Sequence, residues 1–190
     1  SGAKALLYIG PVQVFSFSPE FVKAHPDWQR VHVDGKTDTP PNFANFRSGY
    51  ADWLIRQLDY VTRTFKPDGY WLDGYAPVHL HTYDSATKHL YRDQNNGKDL
   101  PLPPGGDVGR YDPAHNIDHR QYLEWHNAAF NALAGRMRST VRAANPEAVI
   151  IANHSGCRTW YFPSHYMSEY PSNYSSFIDG SSVELYWDVP

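Results

Sequence analysis

The chain has 190 residues, 41% of them hydrophobic, which is enough to bury one sizeable core and too few for two ordinary domains. Its formal net charge is -3, with Lys and Arg scattered among Asp and Glu, so there is no basic stripe for nucleic acid and no polybasic anchor for anionic lipid. No apolar run approaches the roughly 20 residues of a membrane-spanning helix, and the opening SGAKALLYIG lacks the regions of a secretory signal, so any such signal is expected to be gone already.

Ala5 to Ile9 is a short apolar run closed by Gly10-Pro11, which predicts a buried strand followed by a loop. Ser18-Pro19-Glu20 has the form of a helix start, with a capping hydroxyl and a proline in the first turn, and His25-Pro26 ends that helix early. Val31 to Gly35 predicts a small hairpin edge. From Ser48, residues Tyr50, Trp53, Leu54, Leu58, Val61 and Phe65 recur at helical spacing, with Arg56, Asp59 and Arg63 on the opposite face. This helix must stop before Pro67, and Asp68-Gly69 turns the chain into Tyr70-Trp71-Leu72, an aromatic and apolar run too short for a helix.

Residues 84 to 117 include DQNNGKDLPLPPGGDVGRYDP, so crowded with turn formers that a long loop on the catalytic face is expected. Asp118 is suited to cap a second long helix, in which Tyr122, Trp125, Ala129, Leu133, Met137 and Val141 keep the period until Asn145-Pro146. Ala148 to Ala152 follows as a buried strand, and a fourth strand is expected near Ser182 to Trp187. Helices alternating with apolar runs predict an α/β fold with a parallel sheet and helical crossovers. A (β/α)8 TIM-barrel type is one such fold, and about four of its strands would lie in this chain, because a closed barrel needs about 250 residues. The remainder of the barrel would then come from sequence outside the chain, and a small open α/β domain is the alternative.

In a parallel barrel the active site forms at the C-terminal ends of the strands, so a carboxylate directly after a strand points into the pocket. Asp73, after Leu72 and before Gly74, stands in that position; an Asp capping a following helix is the structural alternative. Hydrolysing a glycosidic bond with retention takes a second carboxyl group about 5 to 5.5 Å from the first. Glu20 opens a short helix, Glu124 lies inside a long one and Glu147 precedes a strand at its wrong end, which leaves Glu169 and Glu184. Asp188 is a further candidate, and a surface carboxylate is the alternative reading for each Glu. Aromatic residues make up 15% of the chain, including 14 Tyr and 6 Trp. Many stand beside polar residues, which suits the apolar face and hydroxyl rim of a sugar. Trp28, Trp71, Tyr75, Trp160 and Trp187 are the stacking candidates, and His79, His81, Asn153 and His154 are placed to bind sugar hydroxyls. His79, His81 and His154 could instead hold zinc in a metal-dependent hydrolase, and a noncatalytic carbohydrate-binding fragment is a third possibility. Cys157 is the only cysteine, so no intrachain disulfide forms and both cytoplasm and export remain open, a secreted or periplasmic site included.

Ala5-Leu6-Leu7-Tyr8, His25-Pro26-Asp27-Trp28, Asp34-Gly35, Tyr50-Ala51-Asp52-Trp53-Leu54 and Tyr70-Trp71-Leu72-Asp73-Gly74 resemble TIM-barrel retaining glycoside hydrolases. The likeness is to family 29 α-L-fucosidases and related hypothetical glycosyl hydrolases. It is fullest over residues 5 to 75 and continues in Val149 to His154, similar to the family's fifth strand, and in Tyr166 to Tyr170, similar to the segment carrying its acid/base Glu. The resemblance implies Asp73 as the nucleophile ending the fourth strand, no cofactor, an oligosaccharide or glycoside substrate, and an exo-acting α-L-fucosidase-like or α-galactosidase-like activity. The family's paired pocket histidines near the second strand have no counterpart here, so the reaction class carries over better than the sugar.

Overall fold

The computed structural model describes residues 2–11, 18–41, 43–73, 82–102, 117–154 and 178–183, with the backbone alone described at 117–120, 154 and 183. Its elements run β1 (Leu6–Ile9), α1 (Pro19–Ala24), a 3-10 turn (Pro26–Trp28), α2 (Tyr50–Phe65), β2 (Gly69–Leu72), α3 (Ser85–Gln94), α4 (Ile117–Ala144), β3 (Val149–His154) and β4 (Gly180–Val183).

Local chemistry explains most boundaries. The Ser18 hydroxyl accepts from the Phe21 amide at 3.2 Å and Pro19 occupies the first turn of α1, which satisfies a backbone donor that a helix start otherwise leaves open. Around Val31 to Gly35 a tight turn forms, with His32 N–H donating to the Lys36 carbonyl at 2.7 Å. Gly35 takes φ 82° there, a left-handed conformation that glycine adopts without a Cβ clash. Helix α2 ends at Lys66, whose φ is 46°, immediately before Pro67 and the turn into β2.

The four strands form one parallel sheet in the order β1-β2-β3-β4, with Tyr8 opposite Trp71 and Trp71 opposite Ile151. Side chains alternate across such a sheet. Tyr70, Leu72, Ile150 and Ala148 point into the core with Leu54 and Leu58 of α2 and Phe130, Leu133, Met137 and Val141 of α4. Each large apolar side chain so buried contributes about 1.5–3 kcal/mol. Thr62 is completely buried in α2, but its hydroxyl donates to the Leu58 carbonyl at 2.6 Å. Its proton is therefore in use, and the Tyr70 hydroxyl, 2.7 Å away, donates to it.

Both crossover helices between described strands, α2 and α4, thus cover the same face of the sheet, whereas a doubly wound sheet carries helices on both. The opposite face presents Leu6 and Tyr8, which are 40% and 55% exposed. The expectation of a buried first strand is corrected accordingly: among the described residues β1 pairs with β2 alone, Leu6, Leu7 and Tyr8 are exposed, and Ile9 is its one residue packed against the core. The expected loop over 84–117 is corrected too, because α3 occupies its first third. Asp84 caps that helix by accepting from Thr87 N–H at 2.9 Å, and Tyr91 packs with Tyr83, Leu100 and Tyr122 in a second small core. Helix α4 begins at Ile117, so Asp118 lies inside it rather than capping it. Strand β4 begins at Gly180, two residues before the expected start.

The ends of the sheet are pinned by two aspartates. At the N-terminal edge the Asp68 carboxylate accepts from the Ala5 amide at 2.9 Å and the Lys4 ammonium at 2.8 Å, while its own carbonyl accepts from Val149 N–H. The Lys4 bond and the Ala5 amide hold its carboxyl below the usual range. Asp179, leading into β4, accepts from Arg138 at 3.0 Å, Arg142 at 2.8 Å and Ile150 N–H at 2.8 Å, and so ties α4 to β3.

Candidate active site

Parallel strands end on a common edge, and Asp73 is the residue immediately after β2 on that edge. Its N–H still donates to the Ile9 carbonyl at 2.8 Å, so its backbone remains fixed to β1. The register pairs Leu72 with Ala152, which brings Asp73 level with Asn153. Asn153 Nδ2 lies 3.0 Å from Asp73 Oδ1. From the other side the Tyr8 hydroxyl lies 2.7 Å from Asp73 Oδ2. An ionised carboxylate only accepts, so Asn153 must present its amide N–H and Tyr8 must donate. Each carboxylate oxygen thus receives a donor from a different neighbouring strand, and hydrogen bonds to a charged acceptor are the stronger kind.

The two donors differ in setting. Asn153 is 6% exposed, whereas Tyr8 stands on the open face of the sheet with its ring centroid 5.5 Å from that of Trp71. Trp71 lies on the same face as Asp73, two residues before it. The site therefore has a fixed carboxylate beside two aromatic rings, whose flat faces suit a ligand with an apolar side and polar rim.

Beyond the sheet, two further carboxylates, Asp38 and Asp84, gather polar side chains around them. Asp38 accepts from Arg30 at 2.7 Å and lies 2.5 Å from His32 Nε2; burial pushes its carboxyl up, but Arg30 and His32 outweigh that and hold it low. Asp84 accepts from Thr87, Thr82 and Asn45; burial pushes its carboxyl up, but the bonds from Thr87 and Thr82 outweigh that and hold it low. Arg47 lies with its guanidinium carbon 3.6 Å from the centre of the Trp125 ring, and burial draws its pKa down to about 10. A cleft of about 400 Å³ runs along α3, lined by residues that include Lys88, His89 and Arg92. Its one acid, Asp99, is paired with Arg92, and none of its lining residues belongs to the sheet edge.

Of the residues singled out in the sequence, Asp73, Trp71 and Asn153 come together at one place. Trp28 lies in an aromatic cluster where His25 stacks on it at 3.7 Å, with Phe21, Tyr50 and Trp53 around its edges. His154 ends β3, and its side chain lies outside the described residues. So do Tyr75, His79, His81, Trp160, Glu169, Glu184, Trp187 and Asp188, and with them every candidate for a second carboxyl and the histidines of the zinc alternative. Among the described residues no group of three or more His, Cys, Asp or Glu could hold a metal ion. Tyr8 is the site residue that sequence reasoning did not nominate. Its signal was a tyrosine near the end of a strand, which becomes meaningful only once β1 is known to neighbour β2.

Three solved structures share this arrangement of strands and helices. The polyextremophilic β-galactosidase from the Antarctic haloarchaeon Halorubrum lacusprofundi matches with a TM-score of 0.70 at 14% identity, over 97% of this chain and 30% of that one. A β-galactosidase from the psychrophilic Marinomonas ef1 gives 0.69 at 14% identity, over 97% and 31%. α-L-Fucosidase isoenzyme 2 from Paenibacillus thiaminolyticus gives 0.55 at 17%, over 80% and 20%. The chain shares its fold with parts of these three glycoside hydrolase structures. It spans between 20% and 31% of the length of these structures. No family model matches the sequence, and no curated protein matches it.

Proposed function

We propose that this chain forms the nucleophile-bearing part of a retaining, exo-acting glycosidase built on a (β/α)8 barrel. Asp73 sits at the C-terminal edge of the sheet with both oxygens held by donors on the adjoining strands, and this arrangement carries the proposal. Barrel architecture is supported by the sequential parallel strand order and by crossover helices packed on one face alone. In that architecture the face carrying Tyr8, Trp71 and Ile151 is the interior, covered by strands other than the four described here.

Asp73 attacks the anomeric carbon of a terminal sugar as a second carboxyl group, from Glu169, Glu184 or Asp188, gives its proton to the departing glycosidic oxygen. The bond from carbon to that oxygen breaks as the bond to Asp73 forms. Water then loses a proton to the second group and attacks the same carbon, which frees Asp73 and returns the sugar with its original configuration. Trp71 supplies a flat apolar surface for the ring. All of these groups are side chains, and no cofactor enters either step.

A panel of aryl glycosides tests this reading. The protein is expected to hydrolyse at least one member, and Asp73→Ala to be slower by at least about 10³-fold. Added azide should partly restore Asp73→Ala by occupying the vacated space, yielding a glycosyl azide of inverted configuration. Undiminished hydrolysis by Asp73→Ala, or no hydrolysis of any member by the parent protein, would refute it.

A further inference from the structure

The two oxygens of Asp73 are not equivalent. Oδ1 is held by the amide of Asn153, buried at 6% exposure on β3, and Oδ2 by the hydroxyl of Tyr8, which is 55% exposed on the open face of β1. An amide does not titrate at any working pH, so its hold on Oδ1 is constant. A hydroxyl can turn its proton elsewhere without moving its ring, because the O–H rotates about the bond to the ring. The Tyr8 ring keeps its place beside Trp71 while its hydrogen bond is made or released.

We propose that Asn153 and Tyr8 are positioning residues with divided roles: Asn153 anchors Oδ1 and fixes the plane of the carboxylate, and Tyr8 holds Oδ2 as the releasable, attacking oxygen. This rests on Asp73 being the nucleophile. While Oδ2 is free of substrate, the Tyr8 bond favours its ionised form. As Oδ2 forms a bond to the anomeric carbon it loses negative charge, and the Tyr8 hydroxyl releases it. The covalent intermediate leaves its ester oxygen at Oδ2 and its carbonyl oxygen at Oδ1, where the Asn153 amide remains as donor. During deglycosylation charge returns to the carboxylate, and Tyr8 recaptures Oδ2 as the sugar departs.

Tyr8→Phe and Asn153→Ala separate these roles. Tyr8→Phe retains the ring, so it is expected to fold and to keep its contact with Trp71. The acid limb of its pH–rate profile should move to higher pH by roughly half a unit or more, since a donor to the ionised form is lost. Asn153→Ala leaves the carboxylate plane unfixed and should lower kcat by on the order of 100-fold, with a smaller effect on KM. Carboxyl ¹³C titration of position 73, with its resonance assigned by comparison with Asp73→Asn, reads the same interactions without turnover. It should move to higher pH in Tyr8→Phe. An unmoved resonance together with an unmoved acid limb in Tyr8→Phe would overturn the role of Tyr8 even if Asp73 is the nucleophile. An Asn153→Ala protein that folds and keeps the parent kcat would overturn the anchor. Complete inactivity of the parent protein combined with the expected ¹³C shift would instead overturn the glycosidase reading, and with it Oδ2 as the attacking oxygen, while confirming that Tyr8 donates to Asp73.

Discussion

A Cβ at Gly69 would lie 2.3 Å from the Val149 carbonyl oxygen and 2.8 Å from Leu6 Cδ2, so β1, β2 and β3 approach one another at a point with room for no side chain. The first of these neighbours is backbone and cannot swing aside. Gly69→Ala is therefore expected to destabilise the protein by about 1–3 kcal/mol or more through overpacking. Urea denaturation followed by circular dichroism measures this; an unchanged midpoint would contradict the register of the sheet, and with it the placement of Asp73.

Asp179 joins two arginines of α4 to the backbone of β3. Replacing it with Ala removes the acceptor of Ile150 N–H and the carboxylate that Arg138 and Arg142 share. A loss of about 1–3 kcal/mol is expected. Asp179→Asn should recover part of it, because an amide oxygen still accepts from Ile150 N–H, whereas equal losses in the two variants would place the effect in the charges alone.

Asp84 and Asp38 give the fold a defined response to acid. Both carboxyl groups are held below the ordinary aspartate range in the folded chain, while the unfolded value is about 3.9. Their stabilisation is complete above that unfolded value and is lost as pH falls through the lower folded values. The denaturation midpoint should thus drop as pH falls from about 5 toward 3, and the drop should be smaller in Asp84→Asn, which has one fewer carboxylate to protonate. A parent and an Asp84→Asn protein with identical acid profiles would remove Asp84 from this account.

Helices α1 and α2 were legible in the sequence because their signals are local: Ser18 with Pro19 at one start, and the spacing of Leu54, Leu58 and Val61 along one face. Helix α3 was hidden by its surroundings. Only Thr87 and Tyr91 of its ten residues are buried, so no apolar stripe announced it, and the turn formers from Asn95 onward dominated the window. The exposure of β1 was equally invisible, since an apolar run reads the same whether or not a helix covers it. Asp73 and Asn153 were found because each follows or ends a strand, a property of single segments. That one binds the other, and that Tyr8 completes the set, depends on strand order and register, which no single segment carries.

Covalent trapping tests the central claim most directly. The protein is incubated with a 2-fluoro glycoside matching the aryl glycoside it hydrolyses, digested, and analysed by mass spectrometry for the modified peptide. The label is expected on Asp73, in the peptide containing Tyr70-Trp71-Leu72-Asp73, and to be missing from Asp73→Asn. A label on any other carboxylate would contradict the assignment.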